Sequence, residues 1–268
     1  DIAKSAITAA RARLGHGPME NLFNVCAEHW TADEIPDHRW RGLSLHAIDG
    51  TSLRTPDTER NRANFPGAET KSGESQTPMV RVVALMDVRS HLLRKVQIGA
   101  YRDTSEYALA RKLVASIPAN SLTILDGLYM GAAVLLDIQQ GGAQRHWMTI
   151  AKSSTKWRVL KRYSDKDALV EMDVSDEARA QDPTLPRTWQ ARAVTYQRPR
   201  FQPRTIMTSL LDPSSFPADE VRALYHERWE IELGYDEVKT ELLDAAPTLR
   251  SKTADGVRQE LWGIFLAY

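Results

Sequence analysis

Apolar residues recur at three- and four-residue intervals through the start of the chain: Ile7, Ala10 and Leu14, then Met19, Leu22 and Phe23. That spacing predicts helix over residues 1–30. After a loop at Pro36 the pattern turns to alternation in "LSLHAIDGT", which predicts a strand arriving at Asp49 and ending in an Asp-Gly turn. Residues 54–78 hold Pro56, Pro66, Gly67, Gly73 and Pro78 among polar neighbours and read as one long loop. "MVRVVALMDVRSHLLRKVQIGA" predicts two strands joined by a turn at Arg89, Ser90 and His91. Asp103, Thr104, Ser105 and Glu106 offer N-caps for the helical stretch "YALARKLVASI".

"SLTILDG" is a short strand ending at Asp126, "AAVLLDIQQ" a helix closed by Gly141 and Gly142, and "QRHWMTIAK" a fifth strand. Residues 154–200 are rich in Val, Thr, Tyr, Trp and Arg and broken by Pro183, Pro186 and Pro199, so they read as short strands and turns. "RTIMTSL" resumes as a strand, Pro217 opens a long helix through about residue 243, and a last helix begins near Thr253. Three early strands followed by alternating elements predict an α/β fold, a mixed sheet with helices on both faces.

Composition narrows the function classes. The hydrophobic share is 42% and the charged share 26%, as in an ordinary globular protein. A single cysteine, Cys26, excludes an intrachain disulfide framework and a cysteine-built zinc site, and fits a reducing, cytoplasmic setting. No run approaches the roughly 18 consecutive apolar residues of a membrane-spanning helix. The chain starts at Asp1 and residues 262–268 stop inside a helical pattern, so it is expected to be part of a longer protein. Net charge is zero, but residues 145–204 hold 13 Lys or Arg against 7 Asp or Glu. A local positive stretch suits phosphate contacts, and a chance imbalance on a solvated surface explains it equally well.

The most informative stretch is "YHERWEIELGYDEVKT". On a helix turning about 100° per residue, Tyr225, Arg228, Glu232 and Lys239 fall within a stripe about 60° wide. The apolar Leu224, Ile231, Tyr235, Val238 and Leu242 occupy the adjoining arc, which puts the charges beside the buried face. Two readings stay open: a partly desolvated acid and bases built for a metal and a phosphate, or an i,i+4 ion pair between Arg228 and Glu232. Asp49 and Asp126 each end a predicted strand and precede a glycine, where sites of sheet proteins collect. Three carboxylates suit Mg²⁺ or Mn²⁺, and two such ions could assist in-line phosphoryl displacement.

Tyr225, Arg228, Glu232 and Lys239 match without a gap the Y-x2-R-x3-E-x6-K signature, and the chain here resembles the "insertion sequence four" group of bacterial DDE transposases. "HAIDGTSLRTPDTERNRANFPG" is similar to that group's block around its first aspartate, and "LDGLYMG" to the second, although Gly127 and Leu128 stand where many relatives carry a basic or polar residue. The resemblance implies an RNase H-like sheet with a β-rich insertion before the last catalytic helix. The organisation expected is an N-terminal helical segment at 1–40, a catalytic domain at 41–153 and 203–268, and a basic insertion at 154–202. It implies two Mg²⁺ ions on Asp49, Asp126 and Glu232, with Mn²⁺ as a substitute, and phosphate contacts from Tyr225, Arg228 and Lys239. The partners implied are double-stranded transposon-end and target DNA, bound by a homodimer at the bacterial nucleoid.

Several residues carry a second reading. Trp157 and Trp189 lie in the insertion, where relatives stack an aromatic on a flipped base, and each also reads as an ordinary core tryptophan. Arg54, Asp57, Asn61 and Asn64 follow Asp49 and either touch DNA or support the loop. His46 points, by strand alternation, to the face opposite Asp49 and reads as structural, while His226 and Glu227 read as solvent-facing and Glu237 as turned away from the stripe. Rival functions are a transposase-derived DNA-binding protein without catalysis and a metal-dependent nuclease without strand transfer. A carboxylate glycosidase has no use for the Arg and Lys beside the acid.

Overall fold

In the computed structural model, the residues described are 3–32, 36–70, 73–74, 77–197, 202–242 and 248–268. Where the sequence alternates, strands form: β1 (Ser44–Arg54), β2 (Met79–Asp87), β3 (Leu93–Ala100), β4 (Ser121–Leu125) and β5 (Arg145–Ile150). They are joined in one sheet in the order β3-β2-β1-β4-β5. β1 is antiparallel to β2 and parallel to β4, and β4 is parallel to β5. This 3-2-1-4-5 order, with only the second strand reversed, is the RNase H-like arrangement.

The sheet does not stop at β5. The 154–202 stretch supplies β6 (Arg158–Ser164), β7 (Asp167–Asp173) and β8 (Thr188–Tyr196), and β9 (Arg204–Thr208) bonds to β5 on one side and β8 on the other. Among the described residues this makes one nine-stranded sheet, continuing as β9-β8-β7-β6.

Helices cover both faces, as the element order implies. On one side lie α2 (Gly17–Trp30), α7 (Ala218–Tyr225), α8 (Trp229–Glu237) and α9 (Ala254–Ala267), which bury Phe23, Leu224, Ile231, Leu261 and Trp262 against Leu45, Ala47, Val82 and Ala84. The opposite side holds α4 (Glu106–Leu113) and α5 (Ala132–Gln140), packed on Ile48, Val83 and Leu85. Alternation along β1 therefore turns Asp49 toward α8 and His46 toward α4 and α5. His46 is fully buried and its Nε2 lies 3.0 Å from Ser44 Oγ, a structural placement.

The caps are where the sequence puts them: Ser105 accepts from Ala108 N–H at α4, and Thr253 from Gly256 N–H at α9. The expected N-terminal helix is two, α1 (Lys4–Leu14) and α2, parted where Gly15 takes φ +70°. The long loop carries α3 (Glu59–Asn64), and α6 (Asp176–Gln181), capped by Ser175, sits within 154–200 where only strands and turns were expected. Pro199 and the helix end near residue 243 lie outside the described residues. No helix among the described residues is long and apolar enough to cross a membrane.

Candidate active site

Asp49 does not end its strand. β1 continues to Arg54 because its antiparallel ladder with β2 runs on until Arg54 faces Met79. The parallel ladder with β4 does stop, at Ile48, so Asp49 is the first residue beyond that partner and its side chain clears the sheet there. Its Oδ1 accepts from Gly50 N–H at 2.8 Å and its Oδ2 lies 3.3 Å from Arg228 Nη1. Burial pushes the Asp49 carboxyl up to about 6. The carboxylates of Asp126 and Glu106 push the same way, against the Gly50 N–H and Arg228.

Asp126 directly follows β4 and caps the short turn Gly127–Tyr129, with Oδ1 accepting from Leu128 N–H at 2.6 Å. Thr149 on the neighbouring β5 donates to the Asp126 carbonyl. A Cβ on Gly127 would stand 3.3 Å from the Ile150 carbonyl, which explains a small residue directly after the acid. Lys152 Nζ donates to the Leu128 carbonyl at 3.1 Å and brings a positive charge to the same turn.

The signature segment is helical from Ala218, but not as one regular helix. A 3₁₀ turn at His226–Arg228 separates α7 from α8, and a wider π turn follows at Val238–Leu242. The uniform 100° wheel is corrected by these two turns, which advance the chain by more and by less than an α-helix does. The buried arc holds nonetheless: Leu224, Ile231, Tyr235 and Val238 are buried, and the Leu242 side chain lies outside the described residues.

Arg228 is the meeting point. One guanidinium nitrogen lies 2.6 Å from Glu232 Oε1 and another 3.3 Å from Asp49 Oδ2, so the i,i+4 pair forms and Asp49 joins it. Asp49 and Glu232 thus bracket a single guanidinium.

The other expected residues are placed as follows. Tyr225 is buried and its hydroxyl donates to the Leu125 carbonyl at 3.3 Å, at the end of β4. Lys239 is half-buried on the π turn and has no hydrogen bond or ion pair among the described residues. Arg54 is exposed at the end of β1, where its carbonyl accepts from Leu249 N–H. Asn61 is buried and donates to the Pro56 and Ser251 carbonyls, a supporting role for that loop. Glu227 is corrected from solvent-facing to half-buried, because Arg89 grips it with two 2.9 Å bonds. The tryptophans differ: Trp189 is buried with its ring 5.5 Å from Trp147, whereas Trp157 is exposed just ahead of β6.

Two residues near the acids escaped the sequence reading. Glu106, at the start of α4, accepts from the Tyr129 hydroxyl at 2.9 Å and packs over Gly50, where a Cβ would fall 2.4 Å from its Cδ. It thereby touches the segments that follow both aspartates. Tyr235 donates through its hydroxyl to the Asp49 carbonyl at 2.7 Å. Glu106 reads locally as a first-turn helix acid and Tyr235 as a core aromatic, so neither carries a local signal.

Among the described residues no three His, Cys, Asp or Glu side chains stand together as a cation site, and Arg228 fills the space between Asp49 and Glu232. The donor chemistry still fits a hard divalent cation. The donors are all carboxylate oxygens, and the Asp126 and Glu106 carboxylates add negative charge beside Asp49.

A profile for the family described as "Transposase DDE domain" matches residues 40–268. The chain belongs to the DDE-domain transposases. Along its whole length this DDE-domain chain is 37% identical to the Escherichia coli (strain K12) transposase InsG for insertion sequence element IS4, covering 60% of that protein. Over 55% of its length it is 40% identical to the putative transposase InsZ of the same organism, covering 49% of it. The chain thus spans about half to three fifths of the length of these relatives. A cryo-EM structure of a piggyBac transposase synaptic complex with hairpin DNA overlaps 83% of this chain and 44% of its own, at 9% identity and a TM-score of 0.45. That likeness is too loose to bear on the site.

Proposed function

We propose that this chain is the catalytic part of a transposase that cuts DNA at transposon ends and joins the freed 3′-hydroxyl to target DNA. The observation that carries this reading is the convergence of Asp49 and Glu232 on one guanidinium beside Asp126. Asp49, Asp126 and Glu232 would hold two Mg²⁺ ions, with Mn²⁺ as a substitute. Bound there, the cations supply Lewis-acid activation of a water and stabilisation of the leaving oxygen in an in-line displacement.

The protein's own groups do the rest. Arg228, shared between Asp49 and Glu232, would present its fork to a DNA phosphate, for which guanidinium geometry is suited. Lys239, without a hydrogen bond or ion pair among the described residues, takes a neighbouring phosphate. Tyr225 fixes the end of β4 beneath Asp126, its hydroxyl being engaged with the Leu125 carbonyl. Arg54 contacts DNA beyond β1, and exposed Trp157 offers a stacking face at the entrance to the basic insertion, residues 154–202. The substrate is double-stranded DNA, handled by a homodimer on paired ends in the bacterial cytoplasm.

The test is cleavage and joining of duplexes carrying the element's own ends, with Mg²⁺ and with EDTA, by the complete protein and by D49N. Joined products that require Mg²⁺ and vanish in D49N support the reading. Cleavage without joining replaces it with a nuclease, and metal-independent binding without cleavage replaces it with a DNA-binding relic.

A further inference from the structure

We infer that the Tyr235 hydroxyl is a positioning group that sets Glu232 relative to Asp49 by standing inside the β1–β2 ladder at Asp49 itself. Asp49 and Ala84 face one another in register on these antiparallel strands. Ala84 N–H donates to the Tyr235 hydroxyl at 3.0 Å, and that hydroxyl donates to the Asp49 carbonyl at 2.7 Å. The phenol therefore bonds a donor and an acceptor of directly opposed residues at once. It is buried, and it both accepts from and donates to the strand backbone.

The element that carries it is α8, and Tyr235 lies three residues after Glu232, on the neighbouring turn of the same helix. A tyrosine can reach into a sheet only if its helix lies close, and Gly234 supplies that approach. A Cβ at Gly234 would meet Met86 Sδ and the Tyr268 hydroxyl at 3.0 Å each, so at that point the helix packs closely on the side chains of Met86 and Tyr268. Core packing alone would be served by the ring. The hydroxyl adds a fixed tie between the helix bearing one acid and the peptide bearing another. Remove it, and the Asp49 carbonyl loses this donor and α8 loses its tie to both strands, which frees the Asp49 peptide to shift relative to Glu232.

The inference rests on Asp49 and Glu232 being cation ligands, so the experiment separates the two claims. Mn²⁺ binding to the wild type, D49N and Y235F is followed by the electron paramagnetic resonance signal of free Mn²⁺, alongside metal-free duplex binding and end cleavage across Mn²⁺ concentrations. Y235F is expected to bind Mn²⁺ about tenfold more weakly, as outer-shell losses do. Its metal-free duplex affinity should stay within about twofold, and its cleavage should recover at high Mn²⁺, which a generally loosened fold would not do. If D49N removes tight Mn²⁺ binding and Y235F leaves it unchanged, the positioning role is wrong. If D49N leaves it unchanged, the site itself is wrong. Should Y235F not fold, G234A crowds the buried Met86 side chain under α8 at the same turn with the hydroxyl retained. The same weakening is expected there, and wild-type Mn²⁺ affinity in G234A overturns the inference.

Discussion

Arg192 and Arg228 each place a guanidinium against an aspartate, the first among the outer strands and the second at the acidic end of β1. Arg192 is fully buried: Nε and Nη2 bond Asp167 at 2.8 and 2.6 Å, and Nη1 reaches the Phe216 carbonyl at 2.6 Å and that of Leu210 at 3.4 Å. Each nitrogen of the fork has a partner, and the pair ties β8 and β7 to the segment leading into α7. Arg228 keeps 15% of its side chain exposed and divides itself between Asp49, 15% exposed, and Glu232, 34% exposed. The contrast separates a charge pair that holds a fold from one that can change partners. Complete satisfaction locks a guanidinium in place, whereas one shared between two partly exposed acids, at 2.6 and 3.3 Å, stays available.

The contrast breaks most visibly at Arg192. R192A leaves Asp167 buried without its partner and is expected to cost about 3–5 kcal/mol of stability in chemical denaturation. Cleavage per folded molecule should remain close to wild type. A variant R192A that keeps its stability would erase the distinction between the two arginines.

R228A should cost less, about 1–3 kcal/mol of stability, because Asp49 and Glu232 keep some solvent contact. DNA cleavage is expected to fall about a hundredfold, the loss typical of removing one donor to a developing charge. Equal losses of folding and cleavage would make Arg228 a structural residue after all.

A third charge-bearing group sharpens the rule that buried groups must be neutral or paired. Burial holds the His46 imidazole down at about 3, helped by Arg94 and opposed by Asp87. The folded state refuses a proton that the unfolded chain accepts near 6.5, so this contribution is complete above pH 6.5 and declines as pH falls toward 3. Between pH 6.5 and 5 the wild type should lose up to about 2 kcal/mol relative to H46Q, read from paired denaturation curves. Parallel curves for the two proteins would show that His46 is not the group responsible.

Much of this architecture is legible in the sequence because local signals agree with the tertiary outcome. Ser105 and Thr253 are ordinary caps, "SLTIL" has room for one strand only, and the buried arc of Leu224, Ile231, Tyr235 and Val238 survives two irregular turns. Asp49 misleads because nothing local says that β2 will hold the chain extended through Gly50. The 3₁₀ turn at His226–Arg228 has no glycine or proline to announce it. Glu106 and Tyr235 become part of the site only when α4 and α8 close on opposite faces of β1, a relation between distant segments that no window of residues contains. The six-residue helix at Asp176–Gln181 is too short for a period to register.

The continuity of the sheet has a mechanical consequence. Because β9 is zipped to β5 on one edge and β8 on the other, the outer strands form an outrigger welded to the hull rather than a flap on a joint. A duplex gripped there would meet the acids at a set bearing, and a tug on β6 would be felt at Asp126 through one continuous sheet.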